Sequence, residues 1–492
     1  MNEGVVLLAN AVEELLRHVS SLRSTGVDII IEIITKLASL GEGKCSESSS
    51  GEGVNTAMET DSNDKTNEGH DLVSVMDPNA DGISGEQFVQ LCIFHVMVLV
   101  HRTMENSETC RLFVEKGGIE ILLKLLLRPS ITQSSEGMPI ALHSTLVFKG
   151  FTQHHSVPLA RAFCFSLRDH LKRALGGFRS VAGSFLLAQQ TTMDAESFSS
   201  LFVVEFLLFL AASKDNRWIS TLLTEFGDSN KDVLEDIGRL QREVLWQVAL
   251  LQGSELEKEL ESTESSNDVQ KTNASTNESD DQRFSSFRQY LDPLLREGDI
   301  GRVTGGSRRT GSENYFSSRF SNRQQNPGNS SDLSVDGKTE DEKRRSYYSL
   351  CRDMMRSLSY HCNLLFMELG KAMLLASRRE NNPAVLPSSV VSVATVVSSI
   401  MSDHLTFRGY VNPSESDVSI STKCRYLGKV VDFVDGVLTD RPESCNPIVV
   451  NCLYSCGVIQ AILTTFEATS QLLLLSMECQ HLLLPWRLMM QA

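Results

Sequence analysis

Asp77, Asn79 and Asp81 stand at alternate positions just before Gly82, the spacing at which a calcium loop of the EF-hand kind offers its first oxygens. The twelfth position of such a loop must add a bidentate carboxylate; here it is Phe88, with Glu86 two residues early. The stretch therefore reads as a solvated turn leading into a helix. Cys445, Cys452 and Cys456 offer thiols for zinc, but there is no CxxC pair and no fourth ligand at a suitable spacing. Small thiols in a helical core are the plainer reading. His154 and His155 could bind a metal or move a proton, yet neither has a carboxylate three or four residues away to orient its ring. A polar contact at a helix end is expected of them. Gly176-Gly177 followed by Gly183-Ser184 resembles a phosphate loop whose second glycine comes one residue late and whose lysine is missing. No GxSxG elbow occurs, and no cysteine sits in a recognisable nucleophile context. The Arg- and Gly-containing tract 302–323 could touch RNA, but it lacks RGG repeats and follows a run, 255–281, that holds nine acids, so a flexible linker is expected. No catalytic, cofactor-binding or metal-ligating residue is assigned from these patterns.

The bulk numbers narrow the partners. A net charge of −16 argues against a general affinity for nucleic acid or anionic lipid, both of which need clustered Lys and Arg. The cysteines number eleven, an odd count without disulfide-like spacing, and the first ten residues do not resemble a signal peptide. A reducing compartment, cytoplasm or nucleus, is expected. No apolar run reaches about 18 residues: 201–212 is interrupted by Glu205, and 91–100 is short and holds His95. The chain reads as soluble, with protein partners and no membrane.

The elements are helical hairpins. In 109–130, Leu112, Phe113 and Val114 close one helix, Gly117-Gly118 break it, and Ile119, Leu122, Leu123 and Leu126 give the next its stripe before Pro129. Two short helices joined by a glycine turn cannot bury that stripe alone and must stack on a similar neighbour, as in armadillo and HEAT solenoids. The pattern recurs. Leu453, Gly457, Ile459, Ile462, Leu463 and Phe466 match Phe113, Gly117, Ile119, Leu122, Leu123 and Leu126 at a constant offset of 340. Gly26 before Val27-Asp28-Ile29-Ile30-Ile31 is a weaker copy; the Gly26–Gly118 interval is 92 residues, or 49 without the low-complexity run 41–83.

Six segments follow. Residues 1–40 read as an N-terminal helical hairpin, its first helix striped by Val5, Leu8, Val12, Leu15, Leu16 and Val19. Residues 41–83, with ten acids against two lysines, read as a disordered acidic loop. A capping box at Ser84–Gln87 opens an armadillo-like region, 84–252, of about seven helices; the last carries Val233, Ile237, Leu240, Val244, Val248 and Leu251. A linker, 253–345, precedes a second helical region, 346–473, whose β-branched stretch 390–400 is read as helix because Pro387-Ser388 starts it well. The tail 474–492 is atypical. No alternating strand is found, so the expected fold is an all-α, armadillo/HEAT-like solenoid interrupted by long disordered acidic and Arg/Gly-rich loops.

Several of these stretches are familiar. FKGFTQHHSVPLARAFCFSLRDHLKRALGGFRSVAGSFLL (148–187), FVVEFLLFLAASKDNRWISTLLTEFGDSNKDVLEDIGRLQREVLWQVALL (202–251), MELGKAMLLASRRE (367–380) and CLYSCGVIQAILTTFEATSQLL (452–473) resemble the amino-terminal half of the giant plant HECT-type ubiquitin-protein ligases, the UPL type. The resemblance covers roughly residues 1–473. It implies an armadillo-like helical solenoid, as in the amino-terminal portions of those very large ligases, whose thioester cysteine lies in a distant HECT domain; an animal relative carries UBA and WWE domains. No segment matches HECT, UBA or UIM patterns, so no cysteine of this chain inherits the thioester role. The implied function is a non-catalytic scaffold that recruits protein substrates or other ligase domains within the ubiquitin-proteasome pathway, with no transferase activity of its own. The alternatives are an independent armadillo adaptor without a ubiquitin role, and a helical enzyme with an unrecognised site. Pro485-Trp486-Arg487-Leu488-Met489-Met490 departs from the family's Pro-Met-Glu-Thr-Asp-Asp run, which a neighbouring reading frame would encode, so a chain truncated before the HECT domain is expected.

Overall fold

The computed structural model describes residues 2–40, 85–134, 137–180, 193–211, 216–264, 340–379, 386–409, 420–441 and 444–473, to which every structural statement below refers. Helices α1 (Asn2–His18) and α2 (Ser20–Ser39) precede α3 (Gly85–Met104), α4 (Ser107–Glu115), α5 (Gly118–Leu126), α6 (Pro129–Thr132), α7 (Met138–His154) and α8 (Ser156–Ser180). Then come α9 (Ala195–Ala211), α10 (Asn216–Asp228), α11 (Lys231–Glu264), α12 (Glu340–Arg379), α13 (Ser388–Thr406), α14 (Ile420–Leu438), α15 (Pro447–Ser455) and α16 (Val458–Leu473). The fold is all-α.

At α4–α5 the chain follows its glycines. Gly117 takes φ 76°, a left-handed conformation that costs a residue without Cβ nothing, and the chain reverses there. Asn106 caps α4 by accepting from the backbone N–H of Glu108 and Thr109. Pro129 does more than stop α5: as the first residue of α6, it needs no N–H partner there. At the far end of the chain the same device recurs residue for residue. Asn446 caps α15 through the N–H groups of Ile448 and Val449, and Gly457 takes φ 74° before α16. The axes of α15 and α16 bend by 73° at that glycine. The β-branched stretch at 390–400 is indeed helical, inside α13, where Val390, Val393, Ala394, Val396, Val397 and Ile400 are buried.

Stacking takes the form of two rows in which each helix touches its neighbours. One row runs α1, α3, α7, α9, α12, α14; the other runs α2, α5, α8, α10, α13, α16. Helix α11 lies between the rows, against α8, α12, α13 and α14, and buries Val233, Leu234, Ile237, Leu240, Val244, Leu245, Trp246 and Val248. Aromatic pairs tie consecutive layers: Phe113 of α4 stacks on Phe151 of α7 (centroids 5.9 Å, planes 9° apart), and Trp246 of α11 meets Tyr426 of α14 edge-on at 5.7 Å. Such a ladder of nearest-neighbour contacts is the solenoid arrangement.

Three expectations need correction, and two short strands stand beside an otherwise all-α fold. Gly26 breaks nothing: α2 runs through it, and a Cβ there would stand 2.5 Å from Leu16 Cδ2, so the glycine lets α1 and α2 cross closely. Nine helices, not about seven, lie between 85 and 264, and α11 and α12 reach past the boundaries expected at 252 and 346. Two short strands exist, β1 (Thr439–Arg441) and β2 (Ser444–Cys445), paired antiparallel with Thr439 opposite Cys445. They form where α14 must turn into α15 in a few residues, and the Asn446 N–H donates to Leu438 O (3.1 Å) beside them. Finally, α3 holds a stretch, Gln87–Met104, long and apolar enough to cross a membrane; here Ile93, Phe94, Met97 and Val100 are buried in the stack, which accounts for its composition.

Candidate interaction surface

Four cysteines of the chain lie in its core. Burial pushes the thiols of Cys110, Cys164, Cys351 and Cys362 up to about 12, so each is a protonated, poorly nucleophilic SH at neutral pH. Cys452 and Cys456 flank Thr395, each with Sγ 3.9 Å from one of its oxygens, whereas nothing is described of the Cys445 side chain. Among the described residues no group of three His, Cys, Asp or Glu could hold a metal ion. His154 ends α7 and His155 is its C-cap, its imidazole pKa lowered chiefly by burial. Gly176 and Gly177 lie inside α8 rather than in a loop; a Cβ at Gly177 would meet Ser197 Cβ at 2.5 Å, so α8 and α9 touch there. The calcium-like run at 77–82, Ser84, Gly183-Ser184, the tract 302–323 and the tail 474–492 fall outside the described residues.

What the arrangement does offer is surface, held in register by cations that reach from one layer to the next. Lys116, at the C-cap of α4, donates to Ser24 O (3.1 Å) and pairs with Asp28 (2.6 Å) on α2. Arg128 donates to the carbonyls of Leu37 (2.7 Å) and Ala38 (3.0 Å), the otherwise orphaned end of α2. Arg217 does the same for Gln153 O at the end of α7, while Arg425 donates to Ala249 O (3.1 Å) in the interior of α11. Farther along, Arg168 of α8 grips Asp232 of α11 with two bonds (2.7 and 2.9 Å) and holds that carboxyl below its ordinary range. Arg242 of α11 pairs with Asp403 of α13 (2.6 Å) and lies 4.9 Å from the centre of the Phe407 ring. None of these pairs converges on a cleft; they are joints.

Apolar exposure collects at the two ends of the stack. Helix α1 exposes Leu8 and Leu15, and α2 exposes Leu22, Ile29 and Ile33, each on the side turned away from Leu16, Val27, Ile30 and Ile34 in the core. Leu8 and Leu15 were read from the sequence as core; the buried side of α1 is that of Ala9, Glu13 and Leu16. At the other end Val450, Tyr454, Ile459, Leu463 and Phe466 of α15 and α16 are exposed. Between the ends, Phe88, Val157, Phe165, Leu375 and Val391 are exposed as well. Only the repeat offset could have flagged the far end, because it sets Ile459, Leu463 and Phe466 against residues that elsewhere are core.

With that geometry in hand, the relatives can be placed. The family model Domain of Unknown Function (DUF913) matches residues 1–134, a span that contains α1 to α6. Two proteins of Arabidopsis thaliana, E3 ubiquitin-protein ligase UPL2 and E3 ubiquitin-protein ligase UPL1, are each 30% identical to the chain over 501 aligned residues, which cover 95% of this chain and 13% of each relative. Residues 1–134 are thus similar to DUF913, and nearly the whole length of the chain is similar to the plant E3 ubiquitin-protein ligases UPL1 and UPL2, of which it spans 13%.

Proposed function

We propose that the chain serves as a non-catalytic scaffold of a HECT-type E3 ubiquitin-protein ligase, presenting its stacked helices to protein substrates or to other parts of the ligase. The observation that carries the reading is the similarity to UPL1 and UPL2, 30% identity over 95% of the chain. Two physical features support it. A stack whose layers touch only their neighbours offers a long face over which binding contacts can be spread. The four most buried thiols are also held protonated, the opposite of what an acyl-accepting cysteine requires. Cytoplasm or nucleus is the proposed location, since ubiquitin conjugation is work for a reducing compartment.

Two measurements test this. Incubated with ubiquitin-activating and ubiquitin-conjugating enzymes, ATP and ubiquitin, the chain should form no thiol-sensitive adduct; such an adduct would make it a transferase. Proteins cross-linked to the chain in plant cells under proteasome inhibition should be richer in ubiquitin conjugates than those cross-linked to an unrelated helical solenoid. Equal conjugate content would favour an armadillo adaptor with no ubiquitin role.

A further inference from the structure

Eleven cysteines are spread along the chain, and only two of them, Cys452 and Cys456, stand as close as four positions apart. The interval is one helical turn, so both thiols leave the same side of α15, where Cys456 is the C-cap and its N–H donates to Cys452 O (2.8 Å). Both meet the same residue of α13. Cys452 Sγ lies 3.9 Å from Thr395 Oγ1, and the Cys456 thiol donates to Thr395 O at 3.9 Å. The turn that carries them is fixed at both ends. Asn446 caps α15 and donates to Gly370 O (2.9 Å), and Gly457, at φ 74°, leads away into α16. The pair is therefore held in place before anything binds.

What such a pair can hold follows from its spacing. Cβ atoms one helical turn apart are roughly 5–6 Å from each other, whereas a disulfide needs about 3.5–4.5 Å. A direct S–S bond would have to unwind the end of α15, but a single atom seated between the sulfurs would not. Zinc asks for four ligands, and among the described residues no group of three His, Cys, Asp or Glu could hold a metal ion. Burial and the neighbouring Cys452 thiol push the Cys456 thiol up. Metal ions bind the thiolate and must displace that proton; in a condensation it leaves as water. Access does not come from the end of the chain. Leu112 and Lys116, at the matching places of the interior hairpin, are half-buried just as Cys452 and Cys456 are, although α7 and α8 follow there.

We propose that Cys452 and Cys456 form a dithiol site for trivalent arsenicals, with arsenic bridged between the two sulfurs. For a monosubstituted arsenoxide the step balances without a further reactant. Two S–H bonds and the As=O bond break, two As–S bonds form, the oxygen leaves with both thiol protons as one water, and arsenic stays trivalent. Bridging would tie Cys456 to the last turn of α15 and fasten that turn against Thr395. The site rests on the thiol spacing and stands whether or not the chain serves a ubiquitin ligase.

Phenylarsine oxide, titrated into the full chain in the presence of excess glutathione, tests it by intact-protein mass spectrometry and by the count of free thiols. At low reagent the chain should take up one phenylarsenic group and lose two titratable thiols with it, and dithiothreitol should reverse both. Cys452→Ser and Cys456→Ser should each weaken capture by roughly 10²–10⁴-fold, since a second As–S bond made within one molecule gains an effective concentration that a lone thiol lacks. Cys92→Ser and Cys424→Ser, which remove the other two half-buried thiols among the described cysteines, should leave capture unchanged. The melting temperature should rise with the reagent in the unaltered chain and in those two controls, but not in Cys452→Ser or Cys456→Ser. Circular dichroism checks that every variant folds; Cys452→Ala and Cys456→Ala replace any that does not. Undiminished capture by Cys452→Ser or by Cys456→Ser would overturn the proposal. So would loss of capture in Cys445→Ser or Cys479→Ser, which would assign the arsenic to a different pair of sulfurs. A chain that takes up no reagent under these conditions would overturn it as well.

Discussion

A single leucine shows how much of this molecule's stability is context. Leu123 and Leu463 occupy the same place in two copies of one hairpin, one buried under the next layer and the other half in water. Leu123→Asp would put a carboxylate into an apolar seam with no cation provided for it and should cost roughly 3–5 kcal/mol in urea unfolding. Leu463→Asp, measured on dilute monomer, should cost no more than about 0.5 kcal/mol. Equal costs would mean that the last hairpin is covered. Buried imidazoles supply a second residue-scale effect. Burial lowers His143 to about 3 and His404 to about 4, and the His404 Nδ1–H donates to Ile400 O (2.7 Å). Each would bind a proton near pH 6.5 in the unfolded chain, so above that pH neither contributes a pH dependence. As pH falls below 6.5 the unfolded state binds more protons than the folded one, and stability drops until the folded groups themselves titrate. At pH 5 the loss should be about 2 kcal/mol for each histidine. His143→Gln should flatten the melting-temperature profile between pH 6.5 and 5; an unchanged slope would show that His143 is not kept neutral.

At the scale of the element, a helix is legible where its local chemistry is enough to decide it. The hairpin at 107–126 could be read directly because Gly117-Gly118 and Pro129 leave the backbone little choice, and the offset of 340 then located the second copy, whereas the Asn106 cap went unread. Gly26 misled for a matching reason: a glycine that lets two helices cross is the same letter as one that ends a helix, and only Leu16, ten positions away, tells them apart. The ends of the stack were hidden more deeply. Leu8 and Leu463 look like core residues in sequence because in any interior layer they would be, and whether a neighbour covers them is not a local property. At the positions matching Phe113 and Gly118 the second copy of the hairpin has Leu453 and Val458, both buried, which gives this scale its own test. At Gly118 a Cβ would stand 2.5 Å from the Phe113 ring, so Gly118→Val alone should destabilise by roughly 1–3 kcal/mol. Adding Phe113→Leu imports the pair used at 453 and 458 and should recover more than half of that loss, read as a coupling in a double-mutant cycle. Additive losses would mean that the two hairpins are packed on different principles.

For the whole molecule, what matters is that layers hold each other rather than being held by what connects them. The row α8, α10, α13 and the row α9, α12 both run across the interval 265–339 without a gap, and α11 packs against α12, α13 and α14 on its far side. Arg242–Asp403 and Arg425–Ala249 O bridge the same divide, so the two helical regions on either side form one stack with a shared core at Trp246, Phe407 and Tyr426. Contacts of this kind should be indifferent to the length of the chain that joins them, since each halving of a loop is worth only ~0.6 kcal/mol of closure entropy. Replacing 265–339 by a Gly/Ser linker long enough to span the gap should leave helicity per described residue and the urea midpoint nearly unchanged, with a slight gain from the shorter closure. Separating the regions into two polypeptides, 1–264 and 340–492, should behave differently. Each piece would expose half of the α11–α12 seam, and mixing them should restore the melting transition of the intact chain through noncovalent reassembly. A linker deletion that lowers the midpoint substantially would place part of the fold within 265–339, and fragments that melt normally apart would show that the stack is two domains resting against each other.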